Sequence, residues 1–302
     1  SGSGKYTTSY GDSGELADNE ADVLSNLKAM KDAGTISKIV VLMNTANPMQ
    51  CAFIDDADYG IDAAMWIGNM GTSGASAVGK LLAGEYNPSG RTVNTFWRNS
   101  AYNPVYYNFG SIGYGNSGIL ESYFSTDGFM NNDYYVAYQE GIYNGYKYTE
   151  TRYEDYVTGR PNTGAFSYED AVSYPFGYGL DYCDFEWEIQ TAGISPAPNS
   201  DITDTSTEIM VSVKVTNVGD FPGKEVVQLY YTPPYGDETY EGSEIEKAYV
   251  NLLDFGKTRV LAKGESQTLT FTFTPYEMAS YDCYDKNHNK YCLLYTSPSP
   301  RD

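Results

Sequence analysis

Histidine is almost missing from this 302-residue chain, and cysteine, lysine and arginine are scarce. One histidine, His288, and four widely spaced cysteines supply neither the ligand cluster of a zinc site nor the paired framework of a disulfide scaffold. Long apolar runs are missing too. The run Ile39-Val-Val-Leu-Met43 is the longest aliphatic stretch, whereas a membrane helix needs about 18 or more apolar residues, and the mean hydropathy is −0.46. With 19 Lys+Arg against 40 Asp+Glu the net charge is −21. No segregated basic patch offsets it, which argues against a nucleic-acid partner. No cofactor motif is present. The spacing Gly68-x-x-Gly71-x-x-Gly74 matches neither the dinucleotide fingerprint nor a P-loop, and reads instead as a loop at the carboxyl end of a strand. What the chain has in abundance is tyrosine, 31 residues of it. Tyrosine joins a flat apolar face to a hydrogen-bonding tip, which suits surfaces that meet sugars. Bulk composition and solubility account for the same abundance equally well.

The two ends are read apart from the rest. Residues 292–302, Cys292-Leu-Leu-Tyr-Thr-Ser-Pro-Ser-Pro-Arg-Asp302, resemble one translated frame of a transposase adapter used in sequencing-library preparation, and are set aside as an artefact. Cys51, Cys183 and Cys283 then remain as authentic cysteines, and the protein is expected to continue past Tyr291. At the other end, Ser1 opens directly into a Ser/Gly/Tyr loop, as an internal fragment would. The sequence therefore leaves localisation open, cytoplasmic or secreted.

Between the ends the pattern changes once. Ala21, Val23, Leu24, Leu27 and Met30 recur at helical spacing, with Asp18 as N-cap and Gly34 as the stop. The Ile39–Met43 run follows as a strand buried on both faces, of the kind found in a parallel sheet. After the Asn47-Pro48 turn a second buried strand, Ile61-Asp-Ala-Ala-Met-Trp-Ile67, leads through the glycine loop to a helix over residues 75–82 closed by Gly84. This is α/β writing, a partial α/β sandwich with a mainly parallel sheet. A loop-rich insert occupies residues 98–133, and strand-like aromatic segments carry Tyr143, Tyr146 and Tyr148. Beyond a linker at 191–200 the period becomes two. Ile209, Val211, Val213 and Val215 alternate with polar residues. A turn at Asn217-Val-Gly-Asp220 leads to Glu225-Val-Val-Gln-Leu-Tyr-Tyr231, and further strands are predicted at 257–261 and 268–274. Several short strands in about ninety residues make an all-β, fibronectin type III-like sandwich. The expected division is 1–190 for the partial α/β domain and 201–291 for the sandwich, itself truncated.

Several blocks, in order, resemble glycoside hydrolase family 3, the family of β-glucosidases and related exo-acting enzymes. They are Val40-Val-Leu-Met-Asn-Thr-Ala-Asn-Pro48, Leu81-Leu-Ala-Gly-Glu-Tyr-Asn-Pro-Ser-Gly-Arg91, Tyr138-Gln-Glu-Gly-Ile-Tyr-Asn-Gly-Tyr-Lys-Tyr148 and Tyr174-Pro-Phe-Gly-Tyr-Gly-Leu180. Lys224-Glu-Val-Val-Gln-Leu-Tyr230 and Lys263-Gly-Glu-Ser266 resemble the family's fibronectin type III-like domain. The resemblance implies a C-terminal part of an exo-acting retaining β-glycosidase that hydrolyses terminal non-reducing sugars.

The resemblance also implies absences. The family's N-terminal barrel carries the aspartate nucleophile, and no barrel fits ahead of Asp18. The family's acid/base glutamate is expected upstream of Ser1, with Glu15 as the lesser candidate inside the chain and a solvated residue as its alternative reading. Retaining hydrolysis needs two carboxyls about 5–5.5 Å apart, one attacking and one donating a proton. The piece by itself is therefore expected to be inactive, its partners a carbohydrate and the missing barrel. Glu140 is expected to hold an interface by a hydrogen bond or ion pair; Trp66 and Trp97 are expected in packed positions. A non-catalytic carbohydrate-binding or cell-surface module is the alternative, which a gene beginning near Ser1 would favour.

Overall fold

The computed structural model describes residues 18–106, 112–113, 134–135, 138–160, 164, 166–202, 204–233, 235, 245–281 and 291–292. The chain divides into two compact units, neither continuous in sequence. One gathers Ser1–Val78, Val93–Tyr148 and Ala165–Phe176; the other gathers Gly79–Thr92, Thr149–Gly164 and Gly177–Asp302.

The first unit opens with helix α1 (Asp18–Asp32). It ends where expected: Gly34 takes φ +73°, and the Thr35 N–H reaches back to the Met30 carbonyl at 2.9 Å, closing the C-terminal turn. Only part of the expected apolar stripe is covered. Leu24 is buried, while Val23 and Met30 are 57% and 41% exposed.

Strands β1 (Val40–Met43) and β2 (Ala63–Trp66) pair in parallel, Val40 opposite Ala63 through Met43 opposite Trp66. The expected burial on both faces is not found. Val41 and Met43 face a cluster of Met49, Cys51 and Phe96, but Val40 and Leu42 are exposed, because no described element covers that side of a two-stranded sheet. Asp62 fastens this region. Its carboxylate accepts from Lys31 Nζ at 2.7 Å, Lys38 Nζ at 2.9 Å and the Ile39 N–H at 2.8 Å, joining the end of α1 to the start of both strands.

Helix α2 (Gly71–Leu82) begins earlier than the predicted residue 75. The glycine spacing is thus mostly helix rather than loop, and Gly84 closes it with the same turn as α1, the Glu85 N–H reaching Lys80 O at 2.9 Å.

The short strands β3 (Phe96–Trp97) and β6 (Val172–Tyr174) pair antiparallel and frame a second cluster of Trp97, Phe166, Ala171 and Val172. Between them in sequence, β4 (Ile112–Gly113), in the insert, pairs with β5 (Tyr134–Tyr135), just after it. Helix α3 (Tyr146–Thr158) replaces the expected strand-like aromatic segment, and the small helix α4 (Tyr168–Ala171) precedes β6. In α3, Thr149 and Thr151 are buried, and Tyr148 packs against the second cluster.

The second unit holds the sandwich. Strands β7 (Phe185–Ile189), β8 (Ile209–Asn217) and β11 (Ser266–Phe273) form one antiparallel sheet with β8 central; β9 (Val226–Tyr231) and β10 (Asn251–Lys257) form the other. Val213, Val215 and Phe271 from the first sheet meet Val227 from the second and Leu261, the inward half of each alternation. Ser212 and Thr270 pair across the strands, their hydroxyl oxygens 2.8 Å apart.

The strand predicted at 257–261 lies earlier, at β10. After Lys257 the chain leaves the ladder: Thr258 exchanges hydrogen bonds with Glu225, and Leu261 bridges Gly223. The turn at Asn217-Val-Gly-Asp220 is pinned by the fully buried Asn217. Its Nδ2 donates to Phe221 O and Leu261 O, both at 2.8 Å, and its Oδ1 accepts from the Gly219 N–H. A last pair, β12 (Ser280–Tyr281) with β13 (Tyr291–Cys292), ends the described chain.

Candidate functional site

A polar cluster of the second unit forms where four separate segments meet. Asn87 in the Asn-Pro-Ser-Gly-Arg block accepts from the Tyr182 N–H through Oδ1 at 3.0 Å. Its Nδ2 donates to Cys183 Sγ at 2.9 Å and Pro222 O at 3.3 Å. Two residues on, Ser89 O accepts from Lys257 Nζ at 2.7 Å. Thr92 forms a short backbone ladder with the Gly177-Tyr178-Gly179 turn, donating to Tyr178 O and accepting from the Gly177 N–H. Gly179 has no room for a Cβ, which would collide with the Gly90 carbonyl.

At the centre sits Arg91. Its Nη2 donates to Glu225 Oε1 at 2.6 Å and Asp181 Oδ2 at 3.2 Å, and all three side chains are largely withdrawn from solvent. Burial alone pulls the guanidinium pKa down; the hydrogen bond and attraction to Glu225, then those to Asp181, more than reverse this and raise it. Two carboxylates near one cleft invite comparison with a glycosidase pair. Here both are committed to one guanidinium, and Glu225 Oε1 also accepts from the Val226 N–H at 2.7 Å, so the trio is a clamp. Beside it lies an open cleft of about 440 Å³ lined by Arg91, Tyr178, Trp187, Glu225, Gln228 and Tyr230, among others.

None of the described residues singled out from sequence for a catalytic, interface or packing role belongs to this cluster. Glu15 lies outside the described residues. Glu140 is half-buried and accepts the Tyr143 N–H through its backbone carbonyl. Its Oε2 is buried with no partner among the described residues, so the expected ion pair is not seen there. Trp66 meets Phe96 edge-on at 5.3 Å and donates to Thr45 O, and Trp97 is buried against Tyr148; both are packing residues, as expected. Tyr146 stacks on Phe176 at 4.7 Å. Among the described residues no three His, Cys, Asp or Glu side chains converge as metal ligands. The Arg91 clamp went unread in the sequence. Its one signal was an arginine closing an otherwise small-residue turn.

Residues 7–146 match the profile of the Glycosyl hydrolase family 3 C-terminal domain, and residues 225–290 that of the Fibronectin type III-like domain. The chain carries the C-terminal domain of glycosyl hydrolase family 3. Its relatives agree. Beta-glucosidase A of Butyrivibrio fibrisolvens is 34% identical over 251 residues, 82% of this chain and 25% of that protein. Among solved structures, a beta-glucosidase from Paenibacillus barengoltzii superposes with a TM-score of 0.69 at 31% identity, over 92% of this chain and 25% of that one. Beta-glucosidase 3B from Thermotoga neapolitana, solved in complex with alpha-D-glucose, gives 0.63 at 25% identity, covering 88% of this chain and 30% of that one. The family 3 chain thus spans about a quarter of the length of the curated relatives it matches. The Arg91 clamp joins the Asn87–Arg91 block to Glu225, the first residue of the fibronectin-like match.

Proposed function

We propose that the chain is the C-terminal part of an exo-acting, retaining β-glycosidase of the β-glucosidase type that removes terminal non-reducing sugars. The observation that carries this reading is the in-register likeness to β-glucosidases about four times longer. On it, residues 1–190 are a partial α/β domain whose β1–β2 pair belongs to a mainly parallel sheet, 191–200 a linker, 201–291 a fibronectin-like domain, and 292–302 adapter-derived. The nucleophile belongs to a barrel outside the chain. The acid/base glutamate belongs upstream of Ser1, with Glu15 the lesser candidate.

Assay of the 302-residue chain against an aryl β-glucoside tests this. No turnover above buffer is expected, and activity is expected once the chain is rejoined to its barrel. Turnover by the isolated chain that survives Glu15→Gln would overturn the placement of the machinery. A Gly-Glu-Gly context encoded just ahead of Ser1 would rule Glu15 out.

A further inference from the structure

The cleft of the second unit has a composition that the Arg91 clamp does not explain. Trp187 stands on β7 directly opposite Val215, which is fully buried, yet Trp187 is 51% exposed. Residues facing each other across an antiparallel pair lie on one side of the sheet. The indole therefore extends the core-facing side of the sheet to a place where water reaches it. Its Nε1–H has no acceptor among the described residues.

Alternate residues of β9, Val226, Gln228 and Tyr230, line the same cleft. The Tyr230 hydroxyl donates to Gln228 Oε1 at 2.8 Å, which fixes the amide and leaves its Nε2 donors uncommitted among the described residues. Arg91 also lines the cleft, and its buried Nη1 has no partner there either. The uncommitted Gln228 amide therefore borders a half-open aromatic face, while Arg91 Nη1 is itself shut off from solvent.

Charge narrows what fits. Arg91, the one cation lining the cleft, is held by two carboxylates, Glu225 and Asp181, so the trio carries one net negative charge on a chain of −21, and the nearby Lys257 is committed to Ser89 O. Phosphates and other anions are disfavoured. A neutral molecule with an apolar face and a rim of hydroxyls meets every term: C–H groups on the indole, and oxygens for the amide and indole donors. We propose that this cleft binds a neutral saccharide seated on Trp187.

The test titrates the full 302-residue chain with cellotetraose, xylotetraose and maltotetraose, read by saturation-transfer NMR and calorimetry, with inorganic phosphate as the anionic control. At least one tetraose is expected to bind saturably and phosphate not at all. Trp187→Ala is expected to weaken binding about tenfold or more, and Gln228→Ala by a smaller factor. Far-UV circular dichroism checks each variant's fold, and Gln228→Ala carries the test if Trp187→Ala unfolds. No saturable binding of any tetraose, or variants that titrate like the parent chain, would overturn the proposal.

Discussion

Arg91 Nη2 and Glu225 Oε1 lie 2.6 Å apart although 134 positions separate them in the chain. The pair is buried together with Asp181, and this makes it a structural commitment. Removing the guanidinium leaves two carboxylates facing each other without a cation. Arg91→Ala is expected to cost about 3–5 kcal/mol, as for a broken buried ion pair, in chemical denaturation at neutral pH. Arg91→Lys keeps the charge but loses the planar fork, and a smaller loss is expected.

Gly179 and Gly79 make a contrasting pair. A methyl at Gly179 would strike the Gly90 carbonyl and the Arg91 side chain, whereas one at Gly79, within α2, meets nothing within 4 Å. Gly179→Ala is expected to destabilise by about 1–3 kcal/mol. Gly79→Ala is expected to stabilise by about 0.5–1 kcal/mol through helix propensity. Denaturation midpoints of the two variants give opposite signs if the packing is as described.

Cys51 is fully buried, and burial, aided by the nearby charge of Asp55, pushes its thiol up to about 12 from 9.0. The neutral thiol is therefore the form the fold favours. Its contribution is complete below about pH 9 and declines as pH rises towards 12. Mass-spectrometric mapping after alkylation at pH 8 is expected to find Cys51 unmodified in the folded chain and modified in denaturant. Modification at equal rates in both states would contradict this burial.

Asp62 responds at the other end of the pH scale. The hydrogen bond from Lys31, then those from the Ile39 N–H and Lys38, hold its carboxyl well below the usual carboxylate range. A depressed folded value stabilises the native state above the unfolded pKa, about 4, and this is lost as pH falls through the folded value. The denaturation midpoint of the parent chain is expected to drop between about pH 4 and the acid limit more steeply than that of Asp62→Asn.

What the sequence made legible was whatever is local. The helical stop at Gly34, the alternation of β8 and the turn at Asn217 each rest on neighbouring residues whose preferences agree with the fold. Phe185, Trp187 and Ile189 carry the same period of two. They stand ahead of the proline-bearing stretch, however, so a linear reading gives them to the first domain rather than to the sheet of β8. Helix α3 was read as strand because its tyrosines dominate the pattern while the residues it buries are threonines. The uncovered face at Val40 and Leu42 was invisible for a different reason: an apolar run shows a need for burial, and says nothing of whether a neighbour supplies it. The Arg91 clamp draws on residues 90 and 134 positions away, and no spacing rule reaches so far.

The clamp also bears on how this gene could be divided. A piece cut at the linker, from residue 191 onward, would keep β8 to β11 but forfeit β7, Arg91 and Asp181, stranding Glu225 without its counter-charge and baring one border of the sheet. The fibronectin-like half is thus a poor candidate for shuffling as a free-standing cassette. Recombination would have to carry the Asn-Pro-Ser-Gly-Arg turn along with it, which ties the inheritance of the two halves together.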